Sequence, residues 1–242
     1  MKILVVNDDG IKAEGITYLA KMAKELGEVY VVAPANQCSA MSHHITVHGE
    51  LLVKPEEFPV EGVKAYSVSG TPADCVKVAL MHLLPEKPDI VFSGVNHGYN
   101  AGYDILYSGT VGAAMEALAN GIPAMAFSSE MNGVYDVVEE HILPITKELL
   151  EQPIKSNEIW NVNFPGCPLS ELKGILRERK VGQIQFYSDG HFRKELENGA
   201  FSLELNGVPV TGDEEGTDVD AVLRNYISIG KIRNNIIEAI EA

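Results

Sequence analysis

The chain has 242 residues, 45% of them apolar, which is enough to bury a full core and argues against a disordered chain. Its formal net charge of −15 is repelled by nucleic acid and anionic membrane at long range, so neither is an expected partner. With no apolar run of about 18 residues and no basic-then-apolar leader, the expectation is a soluble, non-exported, cytoplasmic protein.

Residues 2–6 predict a strand, followed by an amphipathic helix with Ile16, Leu19, Ala20 and Ala23 on one face, ended by Gly27. A strand over 29–33 stops at Pro34, and a polar loop over 35–44 leads into 45–53, which with 63–68 predicts an antiparallel pair. Thr71 is placed to cap a helix with Pro72 as its first residue, running over 73–84. Next come a strand over 89–92, a glycine-rich loop over 93–107, a helix over 110–120, a strand over 124–127 and a helix over 134–151. After a strand over 160–164 the character changes. Residues 173–179, 183–187 and 201–205 are strand-like, and turn-formers between the last two, including Asn198-Gly199, predict a projecting hairpin. Residues 213–215 read as a solvated acidic loop and 226–229 as a strand. Residues 231–242 read as a terminal helix with Ile232, Ile236, Ile237 and Ile240 on one side. Strands alternating with helices predict an α/β, doubly wound, mainly parallel sheet that binds ligands at the carboxyl ends of its strands. Cys38, Cys75 and Cys167 form no CxxC pair and are expected as buried or half-buried thiols.

Three polar loops follow strands and converge on that edge: Asp8-Asp9, 35–44 and 93–100. The repulsion and desolvation of Asp8 and Asp9 call for a cation, and Gly10 permits a turn that brings both carboxylates to one hard ion; a solvated surface turn is the competing reading. The pair lacks the Asp-x-Asp spacing of a haloacid-dehalogenase phosphatase, and no acidic residue ends the third strand as in a receiver domain. In the next loop Gly94, Gly98 and Gly102 recur every four residues, with Asn96 and Asn100 between them. Ser108-Gly109-Thr110 then opens a helix with unpaired N–H groups and a positive dipole end, either a phosphate cradle or simply a cap. A Walker ending and a GxGxxG are both missing, which counts against nucleoside triphosphates and dinucleotides. Asn36, Ser39 and Ser42 are small polar groups in the loop after the second strand. His43-His44 would face opposite ways on a strand and make no zinc site. Cys75 falls on the apolar side of its helix, and Asp74 lies in that helix's first turn, where its charge suits the dipole.

In this order, Asn7-Asp8-Asp9-Gly10, Ala33-Pro34 with Ser39, Gly70-Thr71-Pro72-Ala73-Asp74-Cys75, Ser93-Gly94-Val95-Asn96 with Gly98, Asn100 and Gly102, and Tyr107-Ser108-Gly109-Thr110-Val111 resemble the SurE family of survival proteins, the metal-dependent 5′/3′-nucleotidases. Gly121-Ile122-Pro123, Asn161-Val162-Asn163 and Thr217-Asp218 with Ala221 extend the resemblance over nearly the full chain. It implies a single domain with a Rossmann-like core over about residues 1–170 and a projecting hairpin and C-terminal oligomerisation arm over about 171–242. The implied reaction is hydrolysis of nucleoside 5′-monophosphates to nucleoside and phosphate, with 3′-monophosphates and short-chain polyphosphate as further substrates.

The resemblance further implies one divalent cation per subunit, Mg, Mn or Ca, held by Asp8, Asp9, the Ser39 hydroxyl and the Asn96 side-chain oxygen. Ser108, Gly109 and Thr110, with Asn36 and Asn100 as neighbours, would hold the substrate phosphate, and Asp8 or Asp9 would orient or deprotonate the attacking water. Hairpin and arm would make a homodimer or homotetramer. The chain departs from the family pattern at Ala40-Met41-Ser42, where many members carry glycine, and at YISIGKI near the end. The alternative is a non-catalytic nucleotide-binding regulatory module. An oxidoreductase or transferase on the same sheet would lack its dinucleotide fingerprint. Tyr99, Tyr103 and Tyr107 are expected to pack rather than stack on a base.

Overall fold

The computed structural model describes residues 1–188 and 190–236. Its elements run β1 (Lys2–Val6), α1 (Glu14–Lys24), β2 (Glu28–Pro34), β3 (Val53–Glu56), β4 (Lys64–Val68), α2 (Pro72–Val78), β5 (Ile90–His97), α3 (Gly109–Ala119), β6 (Ala124–Ser129), α4 (Asp136–Leu150), β7 (Glu158–Phe164), β8 (Gly174–Arg179), β9 (Tyr187–Ser188), β10 (His191–Glu195), β11 (Phe201–Leu205), β12 (Val208–Pro209), α5 (Asp218–Leu223) and β13 (Tyr226–Arg233). The main sheet has nine strands in the order β3-β4-β2-β1-β5-β6-β7-β13-β8. From β4 to β7 neighbouring strands are parallel, whereas β3 opposes β4 and β13 opposes β7. The fold is the expected Rossmann-like α/β arrangement. Its strand order reverses at β1, with β2 on one side and β5 on the other, and such a reversal opens a crevice beyond the carboxyl end of the strand. Asn7-Asp8-Asp9 follow β1 directly and stand in that crevice.

β1 is buried on both sides. Ile3 and Val5 pack with the α1 and α4 residues Ile16, Leu19, Val138 and Ile142, while Leu4 and Val6 pack with Cys75 and Val76 of α2 and Val111 and Ala114 of α3. Burial on both faces is why this strand reads as a continuous apolar run and not as an alternation. A smaller cluster of Tyr99, Ala101, Phe186, Val219 and Val222 joins α5 to the chain beyond β5.

Several elements differ from expectation, each for a physical reason. The strand expected over 45–53 begins only at Val53. Gly49 sits at φ +95 and Val47 and Leu52 are exposed, so the apolar alternation reaches the core only at Leu51 and Val53, while β3 tolerates Pro55 as an edge strand. β5 runs on to His97, through what reads as a glycine-rich loop. A Cβ at Gly94, which sits at φ +129, would stand 2.1 Å from the Phe127 carbonyl oxygen, so this glycine allows two strands to approach. The helix expected over 73–84 stops at Val78 and continues as one π-helical turn, Ala79–Leu83. The hairpin partner of 201–205 is β10, not 183–187, and β9 pairs instead with β12. β10 and β11 are exposed on both faces, so no burial pattern marks them. Lys231 and Ile232, expected in a terminal helix, belong to β13 opposite Trp160 and Ile159. Arg233 ends β13 and Ile236 is exposed, while Ile237, Ile240 and the rest of 237–242 lie outside the described residues. β8 and β13 place residues beyond 170 within the main sheet.

Candidate active site

Asn7 builds the turn after β1. Its Nδ2 donates to the Gly10 carbonyl at 2.9 Å and its Oδ1 accepts the Gly10 N–H at 3.2 Å. Gly10 has φ +98, and a Cβ there would stand 3.3 Å from backbone atoms of both Pro34 and Asn36, so the turn requires glycine on two counts. The two carboxylates take different partners. Asp8, 3% exposed, accepts the Thr110 hydroxyl on Oδ1 at 2.7 Å, and the half-buried Asp9 accepts the His97 N–H on Oδ2 at 2.9 Å. Burial first, and then the Asp9 charge, push the Asp8 pKa up to about 6 against the pull of Thr110. Burial likewise raises Asp9, against the His97 amide. Among the described residues neither carboxylate forms an ion pair.

The start of α3 faces this pair. Ser108 is its N-cap, with Oγ accepting the Val111 N–H at 3.0 Å, and the Gly112 N–H closes on the Ser108 carbonyl at 3.0 Å. The Gly109 amide is left at the positive end of the helix, while the Thr110 amide, like its hydroxyl, is directed at the Asp8 carboxylate. A Cβ at Gly109 would stand 2.9 Å from the Asp8 Cβ and 3.1 Å from the Pro72 Cγ, so glycine is what lets the helix come this close.

Ser39 and Asn36 lie exposed on the loop after β2, which is tied to the pair where the Cys38 N–H donates to the Asp8 carbonyl at 2.7 Å. The Ser39 Oγ accepts from the Gln37 Nε2 at 2.9 Å. A register shift between Ser93 and Asn96 in the β5–β6 pairing re-aims Asn96. Its Nδ2 donates to the Gly98 carbonyl at 2.8 Å, and since a carbonyl faces only donors, Oδ1 is the end of the amide turned away. Asn100 is spent on the scaffold. It is 3% exposed, its Nδ2 donates to the Ser128 Oγ at 2.7 Å, and its carbonyl accepts from Asn161 and Asn163. The structure therefore gathers Asp8, Asp9, Gly109, Thr110 and the ends of the Ser39 and Asn96 segments, while Asn100 turns its polar groups toward β6 and β7. Tyr99 packs edge-on to Phe186, and Tyr103 and Tyr107 are exposed.

Several residues that shape the site carry no sequence reading of this role. Asp74, which the sequence shows only as a dipole partner, accepts the Thr71 N–H at 2.9 Å and both the N–H (3.0 Å) and hydroxyl (2.6 Å) of Thr46, binding the far end of the β2–β3 loop to α2. Burial opposes its charge, but these bonds outweigh burial and hold its pKa below the usual value. Asp218 accepts the N–H groups of Gly102, Gly182 and Val219, and burial pushes it up to about 6. Backbone amides have no sequence signature, so neither tie is readable beforehand; the spacing Thr-Pro-x-Asp of a capping box is the one available clue.

No group of three or more His, Cys, Asp or Glu side chains suited to a metal occurs among the described residues. The donors at this crevice are instead two carboxylates without an ion-pair partner among the described residues, an amide oxygen and a hydroxyl, a set that fits a hard cation. Fold and site together define a doubly wound α/β protein with an acidic pair at its switch point, set against a helix N-terminus. The family model described as survival protein SurE matches residues 3–185, and the chain belongs to the SurE family. A protein of Clostridium botulinum (strain ATCC 19397 / Type A) named 5′-nucleotidase SurE is 40% identical over 251 residues, spanning 100% of this chain and 98% of that protein. One of the same name from Alkaliphilus metalliredigens (strain QYMF) is 42% identical over 238 residues, 96% of this chain and 92% of that one. The crystal structure of the SurE protein from Aquifex aeolicus superposes with a TM-score of 0.81 at 33% identity, covering 100% of both chains. Among the described residues no helix is long and apolar enough to cross a membrane.

Proposed function

We propose that this chain is a metal-dependent 5′-nucleotidase that hydrolyses nucleoside 5′-monophosphates to nucleoside and phosphate. The observation that carries the reading is the 2.7 Å contact of Thr110 with Asp8, which sets a buried, uncompensated carboxylate against the open end of α3. The names of the relatives support it, and a module that only binds nucleotides has no comparable support. Asp8, Asp9, the Ser39 Oγ and the Asn96 Oδ1 are the groups to hold one divalent cation per subunit, Mg, Mn or Ca. When bound, such a cation draws charge off the phosphate and lowers the pKa of a water. Ser108 offers its hydroxyl, Gly109 its amide and the first turn its helix pole to the phosphate oxygens, where charge grows in the transition state, and Thr110, held by Asp8, borders them. Asp9, the more accessible of the pair, is the better placed to orient the attacking water and accept its proton; Asp8 is steadied by Thr110. Asn36 borders the same opening, and Asn100 acts by fixing the loop backbone. The same chemistry would extend to 3′-monophosphates and short-chain polyphosphate. A cytoplasmic homodimer or homotetramer completes the reading, with the β10–β11 hairpin and the C-terminal arm as its contacts.

Release of phosphate from AMP and GMP with manganese tests it. Wild type should turn over both, EDTA should abolish turnover, and Asp9→Asn should cost at least about a hundredfold, the range of a lost transition-state contact. Full activity of that variant, or in EDTA, would refute the assignment.

A further inference from the structure

The loop between β2 and β3 carries Ser39 and is held in an unfavourable shape. Ala40 (φ +58) and Ser42 (φ +54) both occupy the left-handed region, which residues with a Cβ keep only when their surroundings hold them there. The holding contacts come from the α3 side. The Ser42 N–H donates to the Tyr107 carbonyl at 2.8 Å and its hydroxyl to the Leu106 carbonyl at 2.8 Å, and the His43 Nε2 lies 2.8 Å from the Glu116 Oε2. Gly112 makes the seat, since a Cβ there would stand 2.2 Å from the Ser42 carbonyl oxygen. Glu116 is the one charged residue of α3 and is 8% exposed. It also lies 3.6 Å from the Lys77 Nζ and accepts from the Asn120 Nδ2 at 3.0 Å. A charge so placed is costly unless paired, and an apolar residue would serve as well if the loop needed only a floor. The His43 contact is the largest influence holding the Glu116 carboxyl below its usual pKa.

We propose that His43 is a positioning residue for the cation site. Paired with Glu116, it fixes the strained Ser39 segment to the same helix whose first turn touches Asp8, so donors from two distant chain segments keep one spacing. This rests on reading Asp8, Asp9 and Ser39 as cation donors.

The test is calorimetric titration of the substrate-free chain with Mn2+, well below the melting midpoint, for wild type and four variants. His43→Ala should bind about tenfold more weakly, the loss expected when a residue orienting a metal ligand is removed. His43→Gln, whose amide N–H can still reach Glu116, should recover most of that affinity. Gly112→Ala, which lifts Ser42 from α3 and touches neither charge, should weaken binding as His43→Ala does. Asp9→Asn should lose binding. Wild-type affinity in His43→Ala alongside loss in Asp9→Asn would overturn the positioning role alone, as would equal losses in the two His43 variants. Wild-type affinity in Asp9→Asn would overturn the cation site and the inference with it.

Discussion

Asp8 and Asp218 are buried carboxyls with folded pKa values near 6, above the free value of about 3.9. A carboxyl raised on folding binds its proton more tightly in the native state. The stability it contributes is therefore full below about pH 4 and is lost as the pH rises through about 6. Glu116 and Asp74, held below their ordinary values, act in the opposite sense. In EDTA the melting midpoint should rise as the pH is lowered from about 7.5 to about 5.5, and Asp8→Asn should remove part of the slope. Saturating Mn2+ should shrink the rise, because a cation keeps Asp8 ionised; a midpoint that falls steadily over this interval in EDTA would contradict both shifts. Ala40 offers a second residue-level test. Left-handed backbone costs a non-glycine residue about 1–2 kcal/mol, and glycine loses about 0.5–1 kcal/mol of this to its freer unfolded chain, so Ala40→Gly should stabilise by about 0.5–1 kcal/mol in a denaturant titration. The missing glycine in Ala40-Met41-Ser42 is legible as a departure from the family pattern. That it leaves two residues at positive φ is not, because dihedral angles there depend on what Tyr107, Leu106 and Glu116 grip.

At the scale of elements, the link between α2 and the β2–β3 loop is the most consequential. Thr71 and Asp74 form a capping box, and the same Asp74 carboxylate takes two bonds from Thr46. Asp74→Asn preserves shape but turns an acceptor into a donor facing these groups. It should cost about 1–2 kcal/mol in thermal or chemical unfolding, and should weaken Mn2+ binding as well, since the loop's far anchor fails. An unchanged affinity in a destabilised variant would separate the cap from the site. The start of α2 is legible in Thr71-Pro72 because caps are local chemistry. So are β1 and β2 as continuous apolar runs, α3 by its Ser108 cap and α4 by its apolar period. The true place of β3, the continuation of β5 through Gly94 and the partner of β11 are not legible, because each is decided by a neighbour far away in sequence. The same division runs through the site: Asp8, Asp9 and the Ser108 cap can be read in advance, whereas the Asp218 tie to Gly102 cannot.

For the whole molecule, the exposed ribbon of β10 and β11 stands out. Phe192, Phe201, Leu203 and Leu205 are all exposed on a two-stranded element, and such ribbons are marginal in water unless something covers them. A second copy of the chain is the expected cover. Phe192→Glu combined with Leu203→Glu should shift the species seen by light scattering toward the monomer, and an unchanged mass would remove the hairpin from the contact. The doubly wound half of the sheet is legible from alternating apolar runs, but the entry of β13 between β7 and β8 is a long-range pairing without a local signal. That entry bears on how the chain is made. On the ribosome, β8 emerges well before β13 and has no neighbour on the sheet to join, and the amides of Gly102 and Gly182 wait for Asp218. Until Asp218 has been synthesised the glycine loop is untied, and until residue 233 has been the nascent chain carries an open edge on β7, a form exposed to mispairing with other strand edges. The acidic pair is translated early and the Asp218 tie on the loop beyond β5 late, so a partly made chain has the charges of the site before that loop is fixed.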